Sequence, residues 1–259
     1  MSVIDRKSRM RARFHRAAPH YARHSPIQQS VARELAAAIL GEPPLPEAPR
    51  VLEIGCGTGH LTAALLPRLP GARWLATDIA PGMVAGCRAA LGVHAGIEFA
   101  VMDGEAPATQ GPFDLVCASL AAQWFDDLPA ALARLADLLA PAGVLAISSL
   151  GNGTFREWRA AHAALGLRPA TPEFPDAAAF RRAWPRGGRL RVWDETYVQH
   201  HTDALDFVRS LRAIGADTPA PGHRPVAPGA LRRVLAELDR RPPVPASYHV
   251  LYGLLRNDY

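Results

Sequence analysis

Short apolar runs recur along the first half of the chain, and each ends in a glycine, an acid or a serine. Val51-Leu-Glu-Ile54 breaks into Gly55-Cys-Gly57-Thr-Gly59, and a helix-like segment from Leu61 to Leu69, closed by Pro70-Gly71, leads into Arg73-Trp-Leu-Ala-Thr-Asp78. Further runs cover Ile97 to Asp103, Phe113 to Ser119 and Gly143 to Ser149; a helical pattern from Leu128 to Leu139 and the turn Pro141-Ala-Gly143 precede the last. Nearly continuous apolar strands separated by helical segments predict an α/β protein with a mostly parallel sheet covered by helices on both faces. Right-handed strand–helix–strand crossovers set successive strand ends side by side. Upstream, Gln29 to Leu40 carries apolar residues at helical spacing, and a proline-rich link runs from Gly41 to Pro49. Beyond Ser149 the alternation breaks: Thr154 to Leu165 and Ala177 to Trp184 read as amphipathic helices standing over the carboxyl ends of the strands as a lid. A strand from Leu190 to Val198, helices from Ala204 to Ile214 and from Pro228 to Arg240, a loop at Gly222-His-Arg-Pro225 and a last strand around Ser247 to Gly253 complete the chain. The expected organisation is an arm over residues 1–49, a core over 50–150, a helical insertion over 151–188, and the rest of the core over 189–259 with a lid contribution around 209–227.

Three glycines at alternate positions directly after a strand require a sharply turning backbone and leave space where side chains would stand, so a nucleoside lies against bare main chain. A dinucleotide fingerprint needs its third glycine at position 60, where the chain has His60, and no Gly-Lys-Ser/Thr follows to make a phosphate loop. Asp78, at the end of the neighbouring strand, faces the ribose and accepts from its hydroxyls. The pattern Glu53-x-Gly55-x-Gly57-x-Gly59 resembles the first motif of class I S-adenosylmethionine methyltransferases, a Rossmann-like fold with a seven-stranded sheet. That resemblance implies S-adenosylmethionine as cofactor and S-adenosylhomocysteine as product. It assigns the adenine amino group to Asp103, beside Gly104, and sets the end of the Phe113 to Ser119 strand, with Leu120, beside the reactive methyl. The implied cofactor-binding set is Tyr21, Glu53, Gly55, Cys56, Gly57, Gly59, Asp78, Ile79, Met83, Asp103, Gly104, Ser119 and Leu120.

Composition narrows the function classes without choosing one. At 259 residues, 49% hydrophobic and 20% charged, the chain can bury a substantial core. No apolar stretch reaches 18 residues, and Asp5-Arg-Lys-Ser-Arg-Met-Arg-Ala-Arg13 lacks the apolar segment of a signal peptide, so a cytoplasmic protein without membrane contact is expected. Cys56, Cys87 and Cys117 have neither disulfide nor zinc spacing and read as small core residues. His200 and His201 are adjacent and cannot share a helix face as ligands, and no metal is expected. The net charge is +5, carried almost wholly by arginine, with Lys7 the sole lysine. No stripe of basic residues interleaved with aromatics predicts a nucleic-acid partner, whereas a basic surface for an acidic partner fits the balance.

The flanking segments point to the substrate. Phe14, Arg16, Tyr21, His24 and Gln28 of the arm, the segments Asp78-Ile-Ala-Pro-Gly-Met83 and Ser119-Leu-Ala-Ala-Gln-Trp124, and the run Arg209-Ser-Leu-Arg-Ala-Ile-Gly-Ala216 resemble the biotin-synthesis malonyl-acyl-carrier-protein O-methyltransferases over nearly the whole chain. The resemblance implies an arm folded over the cofactor, with Tyr21 against cofactor and acceptor. The candidate catalytic residues are Tyr21, Ser119, Trp124, Arg209 and Arg212. A malonyl-type carboxylate, with an intrinsic pKa of roughly 3 to 5, is ionised at neutral pH and needs no general base. In-line transfer asks for alignment at about 3 to 3.5 Å and for exclusion of water. A carboxylate entering a dry pocket calls for a partner, for which Arg209 and Arg212 are the candidates; the same arginines are equally suited to the carrier's phosphopantetheine or acidic helix. The implied partner is malonyl-acyl carrier protein or malonyl-coenzyme A, acted on by a monomer. Methylation of another small acid, and cofactor binding without catalysis, are the alternatives.

Overall fold

The computed structural model describes residues 3–220, 222–223, 225–240 and 242–258; the side chains of residues 3–5 are not included in that description. The expected loop over residues 222–225 therefore includes one position, Arg224, outside the described residues. Seven strands, β1 (Arg50–Ile54), β2 (Arg73–Asp78), β3 (Ile97–Val101), β4 (Phe113–Ser119), β5 (Leu139–Leu150), β6 (Arg189–His201) and β7 (Val244–Arg256), form one sheet in the order β3-β2-β1-β4-β5-β7-β6. The β1–β2, β2–β3, β1–β4 and β4–β5 pairs are parallel, and β7 runs antiparallel to both β5 and β6. The mostly parallel seven-stranded Rossmann-like sheet expected from the sequence is the one present. Chain order reverses between β1 and β4, so a crevice opens outside their carboxyl ends.

Strand residues alternate between two apolar layers because side-chain direction has period two. Val51, Leu115, Cys117, Val144 and Ala146 face the first layer, where Val31 and Leu35 of α2 (Pro26–Leu40) and Leu61 and Leu65 of α3 (His60–Leu65) cover them. Leu52, Val116, Ala118, Leu145 and Ile147 face the second, covered by Leu132 and Leu135 of α5 (Leu128–Ala136) and Phe180 of α7 (Ala177–Arg182). Cys56, Cys87 and Cys117 are buried free thiols within this packing. Helix starts are specified locally: Asp127, Asp176 and Asp203 each accept from the backbone N–H three residues on, opening α5, α7 and α8 (Ala204–Ala213).

Three placements depart from the sequence pattern. The arm begins as one 19-residue helix, α1 (Val3–Tyr21), and residues 81–91 form a further helix, α4 (Pro81–Leu91), which the sequence pattern, its apolar period broken by Gly82 and Gly86, does not predict. Strand β5 starts at Leu139, and Pro141-Ala-Gly143 is an irregularity inside it: the pairing with β4 shifts register between Phe113 and Leu115, with Ala142 at φ 58°. Of the two helices expected as a lid, α6 (Arg156–Ala163) packs on β7 and on α9 (Pro228–Leu238) and sets Trp158 in the wall of the cavity described below. Helix α7 lies flat on β6 and β7, because Gly253 leaves room for the Trp184 ring that follows it; a Cβ there would stand 2.1 Å from Trp184 Cζ2.

Glu53 fastens the first three elements of the core. Its Oε2 accepts from Thr62 Oγ1 of α3 at 2.7 Å and from Trp74 Nε1 of β2 at 3.0 Å, and the residue is 1% exposed. Burial pushes the carboxyl up to about 7 although both hydrogen bonds act the other way. A carboxyl raised on folding favours the folded state only while protonated, so its penalty grows from the unfolded value near 4.5 and is complete above about 7. Glu53→Gln is expected to gain stability relative to the parent by roughly 2 kcal/mol between pH 5 and pH 8, read from chemical denaturation at both pH values.

Candidate active site

The floor of the crevice is bare backbone. Gly55, Gly57 and Gly59 have φ of 66°, 54° and 94°, a region that L side chains avoid, and a Cβ on Gly55 would fall 2.5 Å from Ala121 Cβ. Gly104 is equally constrained, 2.0 Å from Ile54 Cγ2 at the position its Cβ would take. The loop is held by Asp78: Gly57 N donates to Oδ2 at 3.1 Å and Ala80 N to Oδ1 at 2.8 Å. Burial pushes this carboxyl up to about 6 against the pull of those two N–H groups. Each oxygen keeps a lone pair for a further donor. At the end of β4, Leu120 adopts φ 49°, its N–H donating to Ser148 Oγ at 3.0 Å, so the chain turns sharply beside Ser119.

Helix α1 is the roof. Lys7, Met10, Phe14 and Tyr21 recur at helical spacing and all face the cavity. Phe14 meets Trp124 edge-to-face with centroids 5.4 Å apart. Lys7 Nζ lies 2.7 Å from Asp103 Oδ2 and 2.6 Å from Glu105 Oε2, while Arg6 pairs with Asp126 and Arg13 with Asp217. Burial alone would raise Glu105, but Lys7 and the Asp126 and Asp127 N–H groups bring it below its ordinary value. Close approach of the roof depends on Gly82, where a Cβ would sit 2.7 Å from the His15 carbonyl oxygen, and on Gly215 beside the Arg13 backbone. Past α1, buried Ser25 hydrogen-bonds His60 Nε2 at 2.9 Å, joining the arm to the first turn of α3. Burial lowers the His60 pKa, helped by Arg33. Tyr21 closes the roof over the glycine loop, its Cε1 3.9 Å from where a Cβ on Gly57 would stand.

Tyr21, Gly55, Gly57, Asp78, Ile79, Met83, Asp103, Gly104, Ser119, Leu120, Trp124 and Arg212 all line this one cavity. The structure places Glu53, Cys56, Gly59 and Arg209 elsewhere. Glu53 turns into the core to bind Thr62 and Trp74, and Cys56 packs beneath the loop, its thiol held well above the ordinary range by the adjacent Cys87 sulfur and by burial. Gly59 serves helix packing, since a Cβ would reach 3.1 Å from Cys87 Sγ; Arg209 points from α8 to solvent. Several lining residues were not singled out from sequence. Lys7 was legible in principle from the periodicity of α1. Gln123 lies inside the segment Ser119-Leu-Ala-Ala-Gln-Trp124 noted from sequence, whereas Phe155, Phe207, Thr218 and Tyr248 share no local signal. Phe155 and Phe207, with Trp158, build an aromatic chamber continuous with the nucleoside half, their centroids 5.3 to 5.7 Å apart along Phe155–Phe207 and Trp158–Phe207.

Residues 51–143 match the family described as Methyltransferase domain. Along its whole length the chain is similar to the malonyl-[acyl-carrier protein] O-methyltransferase of Magnetococcus marinus, 43% identical over 257 residues, covering 98% of this chain and 94% of that protein. The chain belongs to the malonyl-[acyl-carrier protein] O-methyltransferase family. Another relative, the biotin biosynthesis bifunctional protein BioCD of Bordetella avium, is 46% identical over 245 residues, covering 94% of this chain and 51% of that protein, so this chain spans about half its length. Among solved structures, the N-methyltransferase NodS of Bradyrhizobium japonicum in complex with S-adenosyl-L-homocysteine superposes with a TM-score of 0.52 at 16% identity, covering 91% of this chain and 88% of that one. This member of the family is an S-adenosylmethionine-dependent methyltransferase. Its site fits that cofactor: the bare backbone of Gly55 and Gly57 lines the crevice where a nucleoside would lie, and Asp78 retains acceptor capacity.

Two outcomes follow from this geometry. Lys7→Met leaves Asp103 and Glu105 without their cation and loosens the roof, and S-adenosylhomocysteine affinity by calorimetry is expected to fall roughly three- to tenfold. Because burial pushes Asp78 up to about 6 and only its ionised form accepts at both oxygens while already holding two backbone N–H groups, that affinity is expected to weaken about tenfold from pH 7.5 to pH 5, and Asp78→Asn to abolish the dependence.

Proposed function

We propose that this chain methylates the free carboxylate of a malonyl thioester carried on acyl carrier protein, giving the uncharged methyl ester from which a pimeloyl chain for biotin is built. The observation that carries the reading is an aromatic chamber continuous with the nucleoside half, with Arg212 at its rim, in a chain similar over 98% of its length to an enzyme named for this substrate. When bound, S-adenosylmethionine supplies an electron-poor methyl group on a sulfonium. The chain's own residues hold, align and dry. Asp78 and the bare glycine backbone hold the nucleoside, and Lys7 fixes the position of Asp103 by an ion pair. Tyr21, Phe14 and Trp124 exclude water from the reacting end, where Ser119 and Leu120 form the wall. Arg212 supplies the countercharge for the entering carboxylate, and Arg209, three residues earlier on the exposed side of α8, faces the carrier. Malonyl-coenzyme A presents the same thioester arm and is accepted by the same cavity. The enzyme acts as a monomer in the cytoplasm.

The reading is tested with purified protein, labelled methyl donor and a panel of acids. Malonyl-acyl carrier protein is expected to be methylated fastest, and the gene to restore growth without biotin in a strain lacking the equivalent activity. Faster methylation of another small acid, together with failure to complement, overturns it. Arg212→Ala is expected to raise KM for malonyl-acyl carrier protein about tenfold or more while changing kcat less; unchanged kcat/KM removes Arg212 from the site.

A further inference from the structure

Charged side chains inside the cavity are committed before any acceptor arrives. Lys7 holds Asp103 and Glu105, Asp217 is paired with Arg13, and Arg212 stands at the exposed rim. The inner wall offers two phenols instead. In β7, Val250 pairs with Leu150 at the carboxyl end of β5, and Tyr248 lies two residues further along, opposite Tyr197 of β6. The register thus carries Tyr248 beyond the last residue of β5, to the same edge of the sheet at which β1 and β4 end on Gly55 and Ser119. Its ring is 4% exposed and braced edge-to-face on Phe155 at 4.9 Å, and Tyr21 reaches the same space from α1.

Neither hydroxyl has a hydrogen-bond partner among the described residues, whereas the neighbouring Tyr197 and Tyr252 bond each other at 2.7 Å. A phenol in a largely dry cavity without a partner forgoes a hydrogen bond that a ligand can supply. Burial pushes both phenols above their ordinary value, and Tyr21 further through Asp78 and Tyr248, so both keep their protons as donors and share one environment. A second buried cation beside the sulfonium would meet like-charge repulsion in a low-dielectric space; neutral donors avoid it. They also leave the carboxylate oxygen more nucleophilic than a bidentate ion pair would.

We propose that Tyr248, together with Tyr21, donates hydrogen bonds to the acceptor's carboxylate, so that the nucleophile is recognised at the inner end of the cavity by two neutral phenols. The inference rests on the carboxylate-methylating reading above. Its test pairs malonyl-acyl carrier protein with isovaleryl-acyl carrier protein, an apolar isostere that cannot accept a hydrogen bond at that end, and uses S-adenosylhomocysteine affinity as the measure of an intact fold. Tyr248→Phe is expected to lower kcat/KM for the malonyl carrier about 10- to 100-fold, while leaving isovaleryl-carrier inhibition and S-adenosylhomocysteine affinity within twofold; Tyr21→Phe, Tyr248→Phe together should lose more than either change alone. Wild-type kcat/KM in Tyr248→Phe, or equal weakening of malonyl and isovaleryl carriers, overturns the inference while wild-type turnover keeps the reading. A wild-type protein that methylates no malonyl thioester overturns both.

Discussion

One carboxylate oxygen, Oε2 of Glu53, joins the three elements from which the cofactor half of the site is made. It receives the Thr62 hydroxyl from α3 and the Trp74 indole N–H from β2 while its own residue belongs to β1, so the strand, the following helix and the neighbouring strand have fixed relative positions. The glycine loop between them then has little freedom. Asp78 completes the arrangement from β2, using both oxygens on backbone N–H groups of the loops that it separates. Two acids on neighbouring strands thus divide the labour: Glu53, sealed in the core, sets the frame, and Asp78, at the crevice, keeps lone pairs for a ligand. Their burial raises both carboxyls, which ties the stability of the frame and the affinity of the site to pH by separate groups.

The roof is held differently. Helix α1 combines ion pairs along its length, Arg6 to Asp126, Lys7 to Asp103 and Glu105, and Arg13 to Asp217, with an apolar face in which Ala17 and Ala18 pack with Ala80 and Met83 and Phe14 meets Trp124. Each partly exposed pair contributes modestly. Spread along one helix, they add to the apolar contact in favouring a single seating of the arm, with Tyr21 over Gly57. The strongly basic arm therefore has an internal partner, and part of the chain's positive charge is explained by its own acids.

The chemistry asked of the site is restrained. A carboxylate that is ionised in water needs alignment and desolvation more than proton transfer. The aromatic chamber of Phe155, Trp158 and Phe207 supplies the desolvation, and the polar groups that remain unpaired in it are few and neutral. Cationic help is kept at the rim, in Arg212, where it can draw the substrate in without sitting beside another positive centre.

Alternation of apolar runs and helical segments determined the sheet, and the spacing of Gly55, Gly57 and Gly59 with His60 at the fourth position determined the kind of ligand, because strand period and glycine backbone are local properties that neighbouring residues specify. The same locality explains the partial success at Glu53, Cys56 and Gly59: the motif named them, yet what each meets depends on Thr62, Trp74 and Cys87, far from them in the chain. Arg209 and Arg212 differ by less than one helical turn, and only the packing of α8 against α1 decided that Arg212 meets the cavity. Strand β7 decided the rest. Its antiparallel return past the end of β5 brings Tyr248 to a site whose first residue is Lys7, a juxtaposition that no local pattern encodes because it arises from sheet register and from long-range burial.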